Sequence, residues 1–111
     1  MSLDPQVLAI LEGMKAESIS VLTELSLKQA REASAAFEKS IPPGPEVDHV
    51  KDFTISGPEG AVAVRLYRPR TVPQGLIVYF HAGGWVLGDI DSGGGVCRHL
   101  VYDTDCAVLS V

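Results

Sequence analysis

"YFHAGGWVLGDIDSGGG" runs from Tyr79 to Gly95 and holds six of the chain's eleven glycines. The continuously apolar "LIVYF", Leu76 to Phe80, leads straight into it. A strand without polar alternation is expected to be covered on both faces, as in a parallel sheet. The glycine-rich run then lies past the carboxyl end of that strand, where open α/β sheets bind their ligands. Glycine lets the backbone turn sharply and lets its N–H groups approach another atom closely. The reading of this stretch therefore decides both the fold and the chemistry.

Beyond the loop, Val96, Cys97, Leu100 and Val101 fall on one face of a short helix. "CAVLSV", Cys106 to Val111, is a second strand of the buried type. Strand, helix and strand make a βαβ unit, which predicts parallel pairing through a right-handed crossover. Before the loop the hydrophobic period is that of strands. Val47 to Ile55 reads as one strand, and "SGPEG", Ser56 to Gly60, as a turn. In "AVAVRLY", Val62, Val64 and Leu66 alternate against Ala63, Arg65 and Tyr67, as in a half-buried strand. These two runs are expected to form an antiparallel hairpin.

"IPPGP", Ile41 to Pro45, separates this region from a helical one, because three prolines and a glycine cannot continue a helix. Asp4-Pro5 is a helix start, with Val7, Leu8, Leu11 and Met14 on one face up to Ala16. "SLKQ", Ser26 to Gln29, fits a capping box, and Leu27, Ala30, Ala33 and Phe37 follow at helical spacing. "ESISVLTEL" between the two helices is ambiguous. The division is a helical region over 1–45 and a strand-rich region over 46–111.

At 111 residues the chain is long enough for one small domain with a core. Hydrophobic residues make up 46% and charged residues 21%, the balance of an ordinary globular protein. A net charge of −5 without clustered Lys or Arg argues against nucleic acid and anionic membrane as partners. No apolar run approaches the roughly 18 residues that membrane insertion needs. "MSLDPQVLAI" lacks the basic start and apolar stretch of a leader, so the cytoplasm is the expected compartment. There Cys97 and Cys106 are expected to be reduced and buried.

Three chemistries compete for the glycine loop. A phosphate cradle needs lysine after its last glycine, and no glycine here is followed by one. A nucleophile elbow, G-x-S-x-G, would use Ser92, but Ile90 stands at the first glycine position and Ser92 lies far past the strand. Asp91-Ser92 reads better as a helix start. An oxyanion hole needs backbone N–H donors aimed at one point, which consecutive glycines after a strand can supply. "HAGGW" resembles the HGGG-type loop of lipases and esterases.

With "RLYRP" on the preceding strand and "CRHL" on the following helix, the chain resembles the N-terminal part of the hormone-sensitive-lipase-like carboxylesterases. That resemblance implies an α/β fold, the N-terminal portion of an α/β-hydrolase sheet preceded by two cap-type helices. It implies that the Gly83 and Gly84 N–H groups form the oxyanion hole and that His81 orders the loop. Trp85 is read either as a substrate contact or as packing. His49 and His99 are read as incidental, because no base-and-orienter partner can be named for either.

Two departures from the family pattern carry expectations. Ala82 stands where the family has glycine, and alanine does not readily take positive φ, so a reshaped loop is expected. "SGGG" falls where the family begins a helix, and each interior glycine costs about 1 kcal/mol of helix propensity. That helix should start late or fray.

The resemblance places the catalytic serine, acid and histidine downstream of Val111. The chain is thus expected to be incomplete at its C-terminus. It reads as a fragment of a serine carboxylesterase or lipase hydrolysing short-chain esters. Its partners would be a small-molecule ester and the remainder of the hydrolase chain. Self-association is compatible with the bare edge expected at the Leu76–Phe80 strand. No cofactor or metal is implied, since serine, histidine and backbone donors suffice for acyl transfer. The alternatives are a non-catalytic binder of acyl compounds or of a partner, and an amide hydrolase of the same fold.

Overall fold

The computed structural model describes residues 3–16 and 24–111, so the ambiguous run between the helices falls mostly outside it. Helix α1 (Pro5–Ala16) starts as its first residues dictate. The Asp4 carboxylate accepts the Gln6 N–H at 2.8 Å, and the Asp4 carbonyl accepts that of Leu8 at 3.0 Å. The apolar face of α1 is not buried: Val7, Leu8, Leu11 and Met14 are 39–45% exposed among the described residues.

Helix α2 (Leu27–Ser40) carries the expected capping box. The Ser26 N–H donates to Gln29 Oε1 at 3.0 Å, and the Gln29 N–H donates to Ser26 Oγ at 3.4 Å. Such a cap contributes about 1 kcal/mol. Of the positions at helical spacing only Ala30 is buried, while Leu27 and Phe37 remain exposed. Ile41 closes the helix, and Gly44 turns the linker with a left-handed φ of +79°.

Strands β1 (His49–Gly57) and β2 (Gly60–Arg68) form the expected antiparallel hairpin. Gly57 pairs with Gly60, so the turn is tighter than the five-residue break read from "SGPEG". Strand β3 (Leu76–Tyr79), helix α3 (Gly94–Thr104) and strand β4 (Ala107–Ser110) follow. β3 and β4 pair in parallel, as a βαβ unit requires. The strand order is β1-β2-β4-β3, so β4 enters between the hairpin and β3 and leaves β3 at an edge. The described sheet thus joins an antiparallel hairpin to a parallel βαβ unit.

The core lies between this sheet and α3. Tyr67, Cys97, Val101 and Val108 form it, with Val47, Ile77, Tyr79 and Leu100 packed around them. Alternation in β2 pointed to Val62, Val64 and Leu66 as its inner face. Val64 is indeed buried, yet Tyr67 on the opposite face is only 2% exposed, because α3 covers that side.

Three further expectations are corrected. β3 is not covered on both faces: Ile77 and Tyr79 face the α3 core, but Leu76 and Val78 are 61% and 47% exposed. The helix that crosses over between β3 and β4 shields one side of the sheet. Val96 points away from the core and is exposed, since α3 turns Cys97 and Val101 inward. Of the cysteines, Cys97 is buried while Cys106 is only partly so. Burial pushes the Cys97 thiol above its ordinary pKa, and those of the Tyr67 and Tyr79 phenols likewise, because desolvation disfavours the charged form.

Candidate functional site

The chain leaves the sheet after Tyr79 and enters α3 at Gly94, with the glycine loop between. Gly83 has φ +146°, and a Cβ built there would lie 1.9 Å from the Leu87 carbonyl oxygen. No other residue fits without moving backbone. The contact is close because the Gly83 carbonyl accepts the Val86 N–H at 3.1 Å and the Leu87 N–H at 2.9 Å. Gly84 and Trp85 are both left-handed, at φ +58° and +61°, and together they reverse the chain. A Cβ at Gly84 would meet open space. Trp85 is fully exposed, so it is not a packing residue here.

Among the described residues, neither the Gly83 nor the Gly84 N–H donates to a protein acceptor. Both glycines line an open recess of about 440 Å³, together with Phe80, His81, Ala82, Trp85 and Val111. Two unclaimed backbone donors beside a recess can bind a developing oxyanion. Ala82 is not left-handed, so alanine imposes no strain there and the expected reshaping is not needed.

His81 is half-buried, with Nδ1 2.8 Å from the Ala82 carbonyl oxygen. A carbonyl only accepts, so in this contact Nδ1 carries the proton. Gly88 closes the loop onto the same pair. Its φ is +88°, and a Cβ there would lie 2.5 Å from His81 Nδ1 and 2.8 Å from the Ala82 oxygen.

Ser92 is neither nucleophile-like nor a helix cap. It is 8% exposed, its hydroxyl accepts the Asp89 N–H at 3.1 Å, and its own N–H donates to the Asp89 carbonyl at 3.0 Å. It builds a turn. α3 starts late, at Gly94, with left-handed Gly93 as N-cap and no side-chain cap. The three glycines serve close approach. A Cβ on Gly93 would meet Tyr79 Oη at 2.5 Å, one on Gly94 Tyr67 Oη at 3.3 Å, and one on Gly95 the Pro42 carbonyl at 3.3 Å. His49 on β1 and His99 on α3 are exposed and belong to other parts of the fold.

Sequence reasoning assigned no role to Arg65 or Arg31. Arg65 stands directly across the hairpin from Asp52 and donates to both of its oxygens, Nη2 to Oδ2 at 2.7 Å. Its Nη1 donates to Asp91 Oδ1, also at 2.7 Å. The hydrogen bond from Arg65 holds the Asp52 carboxyl below the usual carboxylate range, against some desolvation. The same bond drives the Arg65 pKa further up. Arg31 on α2 donates from Nε to the Val86 carbonyl at 2.9 Å, joining the helical region to the glycine loop. The motif "RLYRP" contained Arg65, but only strand register reveals its partners.

Residues 77–111 match the family model described as alpha/beta hydrolase fold. The chain is 32% identical over 116 residues to the esterase LipI of Mycobacterium tuberculosis, covering 99% of this chain and 34% of that protein. It is 31% identical over 121 residues to an ethyl acetate hydrolase of Pseudomonas putida, covering 100% of this chain and 38% of that protein. An ester hydrolase from the metagenome of Lake Arreo superposes with a TM-score of 0.86 at 29% identity, over 98% of this chain and 37% of its own. The chain thus spans between a third and two fifths of the length of these relatives.

Proposed function

We propose that this chain, the N-terminal portion of an α/β-hydrolase-fold esterase, supplies the oxyanion-hole loop of a serine carboxylesterase acting on short-chain esters. One observation carries the reading: consecutive glycines follow β3 with both N–H groups unclaimed among the described residues, in a loop that admits only glycine at position 83.

The serine, acid and histidine belong to the rest of the longer protein. As a serine oxygen attacks the ester carbonyl, the carbonyl oxygen gains negative charge. The Gly83 and Gly84 N–H groups stabilise that charge where it develops, each donor being worth about 3 kcal/mol. Neither has to break a bond to protein first, so no reorganisation is spent at the moment of reaction. His81 orders the loop through its bond to the Ala82 carbonyl. Helices α1 and α2 act as part of a cap over the acyl group. Their unburied apolar residues, and the Arg31 contact to Val86, suit that role. Exposed Trp85 beside the recess is a substrate contact. The bare edge of β3 and the exposed Leu76 and Val78 accept the rest of the hydrolase sheet and its helices. A relative named for ethyl acetate supports a short acyl group.

The longer protein is expected to hydrolyse p-nitrophenyl acetate and butyrate faster than the dodecanoate, and to lose that activity to a sulfonyl fluoride. Absence of ester hydrolysis in the longer protein overturns the reading. So does turnover by residues 1–111 alone that disappears in Ser92→Ala.

A further inference from the structure

Arg65 rises from β2 on the same face as Tyr67, and its guanidinium lies between two carboxylates. One is Asp52, its direct cross-strand neighbour in the β1–β2 hairpin. The other, Asp91, lies 26 residues further along the chain, in the turn that ends the glycine loop. Arg65 Nη1 also lies 3.5 Å from the Ile90 carbonyl in that turn. Hairpin pairing alone explains the first contact and leaves the second unexplained.

The turn is built to transmit a position. The Asp91 N–H donates to Asp89 Oδ1 at 2.9 Å, and the Asp89 N–H donates to Ser92 Oγ at 3.1 Å. Gly88, the residue before the turn, lies so close to His81 and Ala82 that no Cβ fits between them. A continuous path of contacts therefore runs from the sheet through Arg65, Asp91, the 89–92 turn and Gly88 to residues 81–82 and Gly83. The planar fork matters here. One edge serves Asp52 while Nη1 serves Asp91, an arrangement that an ammonium point charge cannot reproduce.

We infer that Arg65 is a positioning residue for the Gly83–Gly84 loop: acting through Asp91, it fixes the loop's return limb to the sheet and sets the aim of the two N–H donors. The inference rests on the oxyanion-hole reading above. Arg65 touches no reacting atom in this account.

The test uses the longer ester hydrolase with Arg65→Met, Arg65→Lys, Asp91→Asn and the Arg65→Met/Asp91→Asn double variant. Each is measured for kcat and KM on p-nitrophenyl acetate, and for amide exchange in the peptide covering residues 79–95. Donors that act on the transition state affect kcat rather than KM. Arg65→Met and Asp91→Asn are each expected to lower kcat by about tenfold with KM within about twofold, a partial loss against the 10²–10³ of a whole donor. The double variant should be no worse than Arg65→Met, because both act on one path. Arg65→Lys should not restore kcat. Exchange in residues 79–95 should rise in Arg65→Met and Asp91→Asn, while in Asp91→Asn the 49–57 strand stays protected.

Wild-type kcat in folded Asp91→Asn, or additive effects in the double variant, overturns the inference. If Arg65→Met does not fold, Asp91→Asn decides, because it leaves the Arg65–Asp52 pair intact. If the wild-type protein hydrolyses no ester, the oxyanion reading fails instead. The exchange data then still decide the positioning claim, and unchanged exchange in residues 79–95 overturns it.

Discussion

Replacing Gly83 and Gly84 separately by alanine should separate backbone geometry from mere glycine content. In Gly83→Ala the new Cβ would sit 1.9 Å from the Leu87 carbonyl oxygen and 2.6 Å from its carbon, at φ +146°. Those are backbone atoms, so no rotamer change relieves the clash. The loop has to open, which breaks the bonds from Val86 and Leu87 to the Gly83 carbonyl and turns the Gly83 N–H away. Loss of one oxyanion donor costs about 3–4 kcal/mol, or 10²–10³ in kcat. In Gly84→Ala the Cβ meets nothing within 4 Å, and φ stays at +58°. That strain is about 1–2 kcal/mol, no more than about thirtyfold even if all of it appeared in kcat. The assay is steady-state hydrolysis of p-nitrophenyl acetate by the longer protein, with thermal melts to show that each variant is folded. KM should change little in either. Wild-type kcat in a folded Gly83→Ala refutes the reasoning, and so does a Gly84→Ala as damaged as Gly83→Ala.

Ala82→Gly should give no gain in activity and a loss of about 0.5–1 kcal/mol in stability, measured by denaturant unfolding, because position 82 is not left-handed and glycine only adds unfolded-state freedom. Gly93→Ala should destabilise by about 1–3 kcal/mol, from the φ of +75° and the 2.5 Å approach to Tyr79 Oη. Tyr79→Phe in the same background should recover part of the melting temperature by removing that oxygen. The Asp52 carboxyl has a folded pKa below its unfolded value, because Arg65 hydrogen-bonds its charged form. Its contribution is present above the unfolded pKa of about 3.9 and is lost as pH falls through the lower folded value. Asp52→Asn should therefore flatten the acid limb of melting temperature against pH and leave the dependence above pH 5 unchanged.

Local features were legible in the residues themselves. The Ser26–Gln29 box and the Asp4-Pro5 start depend on neighbours two to four apart, and the structure reproduces both. The βαβ unit and the hairpin followed from a change of hydrophobic period, which survives imperfect boundaries. What stayed hidden depends on tertiary position. Tyr67 looked like the outer face of β2 until α3 was placed over it. The apolar run at β3 shows what a strand can bury, but Leu76 and Val78 remain exposed because the crossover helix covers one side. The run Gly93–Gly95 read only as a penalty on the start of a helix, whereas each glycine makes room for a specific neighbour: Tyr79, Tyr67 or Pro42. Residue type alone could not say that Ala82 escapes the left-handed region while Trp85 occupies it. Arg65 was invisible as a clamp because Asp52 and Asp91 lie 13 and 26 residues away. The candidate loop itself was legible because its glycines follow an apolar strand, a juxtaposition that sequence order preserves.

The most direct test of the central claim is a crystal structure of the longer protein after reaction with a p-nitrophenyl alkylphosphonate, whose phosphonyl group mimics the tetrahedral intermediate. The account predicts a phosphonyl oxygen about 2.7–3.1 Å from both the Gly83 and Gly84 nitrogens. A covalent adduct whose phosphonyl oxygen is bound by other donors, out of reach of these two, would contradict it.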